Sequence, residues 1–185
     1  EMCIRDRCKA SNLEPKQICE ALKKNGYNTA HIGKYHVGGH GTDETMPENQ
    51  GFDINIGGHS QGHQPTCFSK KSKDGWQFTK LGKGDFDRFA KPYTQAYIEK
   101  YHIPKSQVGR PKHVCDALAD AMEETVEKLA AKTKPFYLQL HAYAVHGPVQ
   151  SRPDLKEAAQ KRLIGKNLGK ANLAGFISGM DAVLG

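Results

Sequence analysis

The chain has 185 residues, with 27 Lys and Arg against 20 Asp and Glu, and carries a formal charge of +7 with its histidines neutral. Hydrophobic residues make up 37% and charged residues 25%, which supplies a core and excludes a disordered polyelectrolyte. No apolar run approaches the about 18 residues needed to cross a bilayer, and the start of the chain has no basic segment leading into an apolar one, so neither a spanning segment nor a leader is expected.

Residues 1–11 fit no element and are left unassigned; foreign sequence is one reading of them. From Pro15 to Asn25, Ile18, Ala21 and Leu22 recur at helical spacing while Lys23 and Lys24 fall off that face; Gly26 follows as a stop. Tyr27 to Ile32 then reads as a short strand that delivers the chain into a Gly-rich loop, Gly33 to Gly41. Residues 42–111 are rich in Gly, Pro, Lys and Ser and predict long loops with a few small strands, among them the apolar piece Phe52–Ile56. A helix is predicted from His113 to Lys132, with Val114, Leu118, Ala121, Met122 and Leu129 on one face and Asp116, Asp120, Glu123, Glu124 and Glu127 off it. After Pro135, the alternation of Phe136, Leu138 and Leu140 with polar residues predicts a largely buried strand. Two further helices are expected, Pro153 to Leu163 and one traced by Leu173, Phe176, Ile177, Met180 and Leu184, with Gly165 and Gly169 between them. Helices alternating with strands that run into Gly-rich loops define an α/β class.

The basic excess is scattered, and Lys70, Lys71, Lys73, Lys80, Lys83 and Lys91 belong to no nucleic-acid module signature, so a nucleic-acid partner is not expected. The five cysteines, Cys3, Cys8, Cys19, Cys67 and Cys115, form no C-x-x-C pair and have neither the density of a disulfide scaffold nor the spacing of a zinc ribbon.

Chemistry concentrates where the strands end. The densest stretch is His31-Ile-Gly-Lys34-Tyr-His36-Val-Gly-Gly-His40, just beyond the first strand, and ligands of open α/β sheets bind at the carboxyl ends of strands. It is not a P-loop, because Gly33-Lys34 is followed by Tyr35 and Asn28 stands where the first glycine belongs. His31, His36 and His40 have no spacing that forces a metal site. Lys34 and His36, two apart on an extended chain, emerge on one face and suit an anion: one is a fixed positive charge, the other a proton carrier. A second stretch, His141-Ala-Tyr-Ala-Val-His146-Gly-Pro148, ends the later strand. His141 reads as a strand residue with a structural hydrogen bond. His146 precedes a Gly-Pro turn that leaves it at the carboxyl edge, either solvated or facing the crevice of Lys34 and His36.

Leu22-Lys-Lys-Asn-Gly26-Tyr-Asn-Thr-Ala-His-Ile-Gly33-Lys34-Tyr-His36-Val-Gly resembles the sulfatase family signature L-K-x-x-G-Y-x-T-x-x-x-G-K-W-H-L-G, with Tyr35 for the usual Trp. Pro47, Gly51-Phe-Asp53, Lys134-Pro-Phe-Tyr-Leu, Ala144-Val-His146-Gly-Pro148 and Met180-Asp181 through Gly185 follow in the family's order. The resemblance implies an α/β, alkaline-phosphatase-like fold, here a partial central sheet flanked by helices, with residues 12–185 as a fragment of the N-terminal catalytic domain. It implies hydrolysis of a small-molecule or carbohydrate sulfate ester, with no membrane or nucleic-acid partner and a periplasmic or extracellular location. By position in the motif, Lys34 matches the lysine at the sulfate, His36 the histidine that helps collapse the sulfated intermediate, and His146 the one near the sulfate and leaving oxygen. His59 and Ser60, in Gly57-Gly-His-Ser-Gln-Gly-His63, fall where the family lines its pocket. The family's nucleophile is a formylglycine made from cysteine in a C-x-P-S-R type motif, set beside calcium. No cysteine here has that context, and the calcium ligands would lie outside these residues, so no metal ligand is carried over and the chain alone is expected to be inactive. Two other functions remain open: a phosphatase, phosphodiesterase or phosphonate hydrolase on the same scaffold, and a non-catalytic protein that holds sulfated glycan.

Overall fold

A computed structural model describes residues 18–37, 46–59, 66–78, 85–162 and 170–184. These divide into two compact units. The first contains residues 18–37, 46–59, 85 and 121–141; the second contains 66–78, 86–120, 142–162 and 170–184.

In the first unit, helix α1 (Ile18–Lys24) ends as its sequence predicts. Gly26 takes a φ of +85°, its amide donates to the Lys23 carbonyl at 3.0 Å, and the Tyr27 amide reaches back to the Leu22 carbonyl at 3.1 Å. These bonds satisfy carbonyls that the end of a helix would otherwise leave open, in a conformation that costs glycine little. Strand β1 (Asn28–Gly33) follows and lies between β2 (Ile54–Ile56) and β5 (Phe136–His141), parallel to both. The register aligns Ala30 with Ile54 and Leu138, and Gly33 with His141.

Being central, β1 is buried from Thr29 to Gly33, although two of those five residues are polar. Thr29 is accommodated by bonding: its hydroxyl donates to the Gly51 carbonyl at 2.7 Å and its amide to the Asp53 carboxylate at 3.1 Å, while the Asp53 amide returns a bond to the Thr29 carbonyl. Lys23 adds an ion pair to Asp53 at 2.6 Å. Burial raises the Asp53 pKa, but the bonds from Lys23 and Thr29 outweigh it and hold the carboxyl below its ordinary value. Gly51 sits close beneath α1: a Cβ there would lie 2.7 Å from the Glu20 amide nitrogen.

Strand β5 corrects an expectation. Its alternation predicts a largely buried strand, but it is the edge of the three-stranded sheet seen among the described residues; both end residues are exposed and the middle four half-buried. A strand with one neighbour lacks the cover that β1 enjoys.

The second unit contains a hairpin, β3 (Lys70–Ser72) with β4 (Gly75–Gln77), and the helices α2 (Gln95–Lys100), α4 (Pro153–Arg162) and α5 (Ala171–Asp181). Helix α2 is capped by the Thr94 hydroxyl, which accepts from the Tyr97 amide at 3.2 Å. Helices α4 and α5 pack closely enough that a Cβ on Gly175 would lie 2.8 Å from the Lys156 nitrogen. Helix α3 (Val114–Ala130) starts in this unit and continues into the first.

Val114, Leu118, Ala121 and Leu129 are buried along α3 as the pattern predicts, but Asp116 does not lie off the buried face. It is enclosed, accepting from the Tyr93 hydroxyl and from Arg152 at 3.0 and 3.1 Å. Arg152 also grips Asp154 at 2.7 Å. One turn on, Asp120 pairs with Lys112 at 3.0 Å and accepts from the Tyr97 hydroxyl at 2.8 Å. Burial pushes the Asp120 carboxyl up and the Lys112 amine down, and each keeps the other charged. Buried charges survive when paired and hydrogen-bonded, which is why acidic residues stand on the inner face of this helix.

Candidate active site at the carboxyl edge of the central strand

The site is built from the end of β1. Gly33 has a φ of +93°, which turns the backbone out of the strand; the Lys34 amide then donates to the His141 carbonyl at 2.7 Å, pinning the first loop residue to the last residue of β5. Tyr35 is buried against Cys19 and Phe52, with Val37 and Tyr137 packed beside it. Lys34 and His36 flank this anchored ring and are both half-buried, with the His36 Nε2 enclosed.

His59 is half-buried and follows β2 by three residues, so it belongs to the same carboxyl edge as Lys34, because β1 and β2 run parallel. Between them the backbone is tight: a Cβ on Gly58 would lie 2.8 Å from Pro47 and 2.9 Å from the His31 Nδ1. Ser60 and His40 lie outside the described residues. His146 falls in the second unit, five residues after the end of β5; it is exposed, its amide donates to the Tyr143 carbonyl at 3.0 Å, and its Nδ1 is 3.0 Å from the Gly147 carbonyl. The peptides Ala144–Val145 and Gly147–Pro148 are cis. Lys34, His36 and His59 therefore share one unit and one sheet edge, while His146 belongs to the other unit and is not brought to them. His141 makes its structural hydrogen bond through its carbonyl, and its ring lies 5.2 Å from that of His31.

His31 is the residue that motif reading undervalued. It is fully buried in β1 among Tyr35, Phe52 and His141, with ring centroids 4.8, 5.4 and 5.2 Å away. Among the described residues neither ring nitrogen makes a well-formed hydrogen bond, although the Asn55 side chain, engaged by Glu48 and Gly58, and the Lys34 backbone lie close enough to favour the charged ring slightly. Burial, with a smaller contribution from His141, pushes its pKa down to about 4, so the ring is neutral at physiological pH. The signal in the sequence is a histidine between Ala30 and Ile32 in a predicted strand. Among the described residues no three His, Cys, Asp or Glu side chains gather as a metal would require, so calcium does not fit the described residues and no metal is placed on them.

Parallel strands with helices beside them, and a lysine and a histidine just beyond the carboxyl end of the central strand, are features of an α/β, alkaline-phosphatase-like fold. The Sulfatase family model matches residues 5–185, and the chain belongs to that family. A sulfatase of Formosa agariphila is 29% identical over 185 residues, covering 90% of this chain and 32% of the relative. Arylsulfatase G of Mus musculus is 26% identical over 157 residues, covering 79% of this chain and 28% of the relative. The crystal structure of Ps i-CgsB in complex with k-i-k-neocarrahexaose superposes with a TM-score of 0.60 at 22% identity, covering 96% of this chain and 37% of that one. The crystal structure of Ps i-CgsB itself gives 0.57 at 25%, covering 90% and 34%. The chain thus spans about a third of the length of the curated relatives it matches.

Proposed function

We propose that the whole protein hydrolyses sulfate esters, that residues 12–185 form part of its N-terminal catalytic domain, and that Lys34, His36 and His146 act on the ester. The observation that carries this reading is the pairing of Lys34 and His36 around the buried Tyr35 at the end of the central strand, within a chain of the sulfatase family.

These residues can supply charge stabilisation and proton transfer at the ester. In the transition state of sulfate ester cleavage, negative charge spreads over the non-bridging oxygens and the leaving oxygen. The Lys34 ammonium is suited to hold the former, and the His146 imidazole to donate a proton to the latter. His36 is suited to hold or accept a proton beside the same ester. His59 and Ser60 are proposed to contact the ester. The family is metal-dependent, but calcium and the formylglycine nucleophile are assigned to none of the residues here, and no step is routed through them. The proposed substrate is a small-molecule or carbohydrate sulfate ester, met in a periplasmic or extracellular setting; no described helix is long and apolar enough to cross a membrane.

The test is turnover by the whole protein of an aryl sulfate against the corresponding aryl phosphate. A kcat/KM at least about a hundredfold higher for sulfate, some 2.7 kcal/mol of transition-state preference, is expected; a preference for phosphate would overturn the reading. The 185-residue chain alone is expected to stay at background with either ester.

A further inference from the structure

The second unit carries a surface trough that the proposed chemistry does not use. Two hollows, of about 410 and 450 Å³, meet at Gln107, Arg110 and Pro153. Both volumes fall in the range of ligand pockets, about 300–1,000 Å³. None of the proposed site residues lines either one.

The lining is chemically uneven in an informative way. Phe68, Pro111 and Pro153 give the first hollow flat apolar walls, Lys70 and Arg110 give it two cations, and no carboxylate lines it. The Arg110 Nε donates to the Ser106 carbonyl at 2.9 Å, which fixes the plane of the guanidinium and leaves its terminal nitrogens without a partner among the described residues. Lys70, exposed at the start of β3, likewise has no acidic partner among them. The second hollow does contain carboxylates, but Asp154 is held by Arg152 at 2.7 Å and Glu157 by Lys161 at 2.8 Å. The uncompensated charge of the trough is therefore positive.

Flat apolar surface beside oriented cations and an amide is a lining matched to a sugar that carries oxyanions. The C–H faces of pyranose rings pack on Pro and Phe, hydroxyls meet an amide such as Gln107, and a tetrahedral oxyanion accepts a forked pair of hydrogen bonds from Arg. A nucleic acid would call for a longer run of cations and stacking aromatic rings, which the trough does not offer. We propose that this trough binds a sulfated oligosaccharide, gripping sulfate groups other than the one to be cleaved through Arg110 and Lys70. The proposal rests on the sulfate-ester reading above for the choice of ligand and extends it to a second site.

The experiment is calorimetric titration of the 185-residue chain with a sulfated hexasaccharide, its desulfated counterpart and inorganic sulfate. The chain is compared with a Lys70→Gln/Arg110→Gln variant and with Lys132→Ala, an exposed cation outside the trough and the proposed site. Both trough cations are at the surface, so the double variant is expected to keep the thermal midpoint of the parent. A Lys70→Met/Arg110→Met variant serves if it does not. The sulfated sugar is expected to bind, about tenfold or more weaker to the double variant, as loss of charged hydrogen bonds requires, and within twofold of parent to Lys132→Ala. The desulfated sugar and inorganic sulfate are each expected to bind at least about tenfold more weakly. Unchanged binding by the double variant, equal loss in Lys132→Ala, equal affinity for the desulfated sugar, or no binding at all would each overturn the proposal. These readouts involve no turnover, so they fail separately from the aryl sulfate assay of the whole protein.

Discussion

Lys34 and His36 owe their placement to a residue that does no chemistry. With Tyr35 sunk among Cys19 and Phe52, the loop cannot rotate either neighbour away without exposing an aromatic ring. In the whole protein, Lys34→Ala and His36→Ala are each expected to lower kcat on an aryl sulfate about 10²–10³-fold, the usual cost of losing one group aimed at a developing charge. Lys34→Arg should lose less, because the charge is kept. Steady-state kinetics separates the cases: an effect confined to KM would place Lys34 in ground-state binding only. His31 acts on stability instead. Its folded-state pKa of about 4 lies below the ordinary 6.5, so between those values the folded protein holds fewer protons than the unfolded chain and acid favours unfolding. Stability is then fully present above about pH 6.5 and declines toward pH 4, by up to about 3 kcal/mol from this residue. His113, buried and shifted the same way by desolvation, adds to the trend. His31→Leu should flatten this acid limb in urea titrations across that range, and an unchanged slope would remove His31 as its source.

At the scale of elements, two glycines in the left-handed region differ in what surrounds them. Gly26 has open space around it, whereas a Cβ on Gly51 would meet the backbone of α1 at 2.7 Å. Gly26→Ala should therefore cost about 1 kcal/mol, from backbone strain alone. Gly51→Ala should cost about 2–4 kcal/mol, because α1 must also move off the sheet; thermal midpoints of the two variants test the ordering. Much of this layer could be read in the sequence. The helices α1, α3 and α4, the strands β1 and β5, and the turn out of β1 at Gly33 all have local signals: periodicity, a glycine stop, a glycine where the strand ends. What could not be read depended on distant partners. Asp116 and Asp120 look solvent-facing until Arg152, Lys112, Tyr93 and Tyr97 are brought to them, and the exposure of β5 depends on which strands lie beside it. The β3–β4 hairpin did leave a signal in Asp74-Gly75, with Gly75 at a φ of +117° and the Ser72 hydroxyl taking the Asp74 amide at 3.2 Å. That turn lies within residues 42–111, whose composition predicts long loops with a few small strands and does not by itself place them.

Across the whole molecule, the pairing of β1 with β5 joins residues such as Asn28 and Phe136, just over a hundred positions apart. Closing so large a span is entropically costly and slow, whereas α1 and α3 need only near neighbours. Pulse-labelled hydrogen exchange during refolding is expected to protect the amides of α3 before those of β1 and β5; simultaneous protection would contradict that order. The same geometry bears on synthesis. Lys34 and His36 leave the ribosome more than a hundred residues ahead of His141, whose carbonyl pins the Lys34 amide. The loop after Gly33 is thus one of the last parts of the first unit to be locked, and during that interval the edge of β1 that later receives β5 stands open to capture by a chaperone.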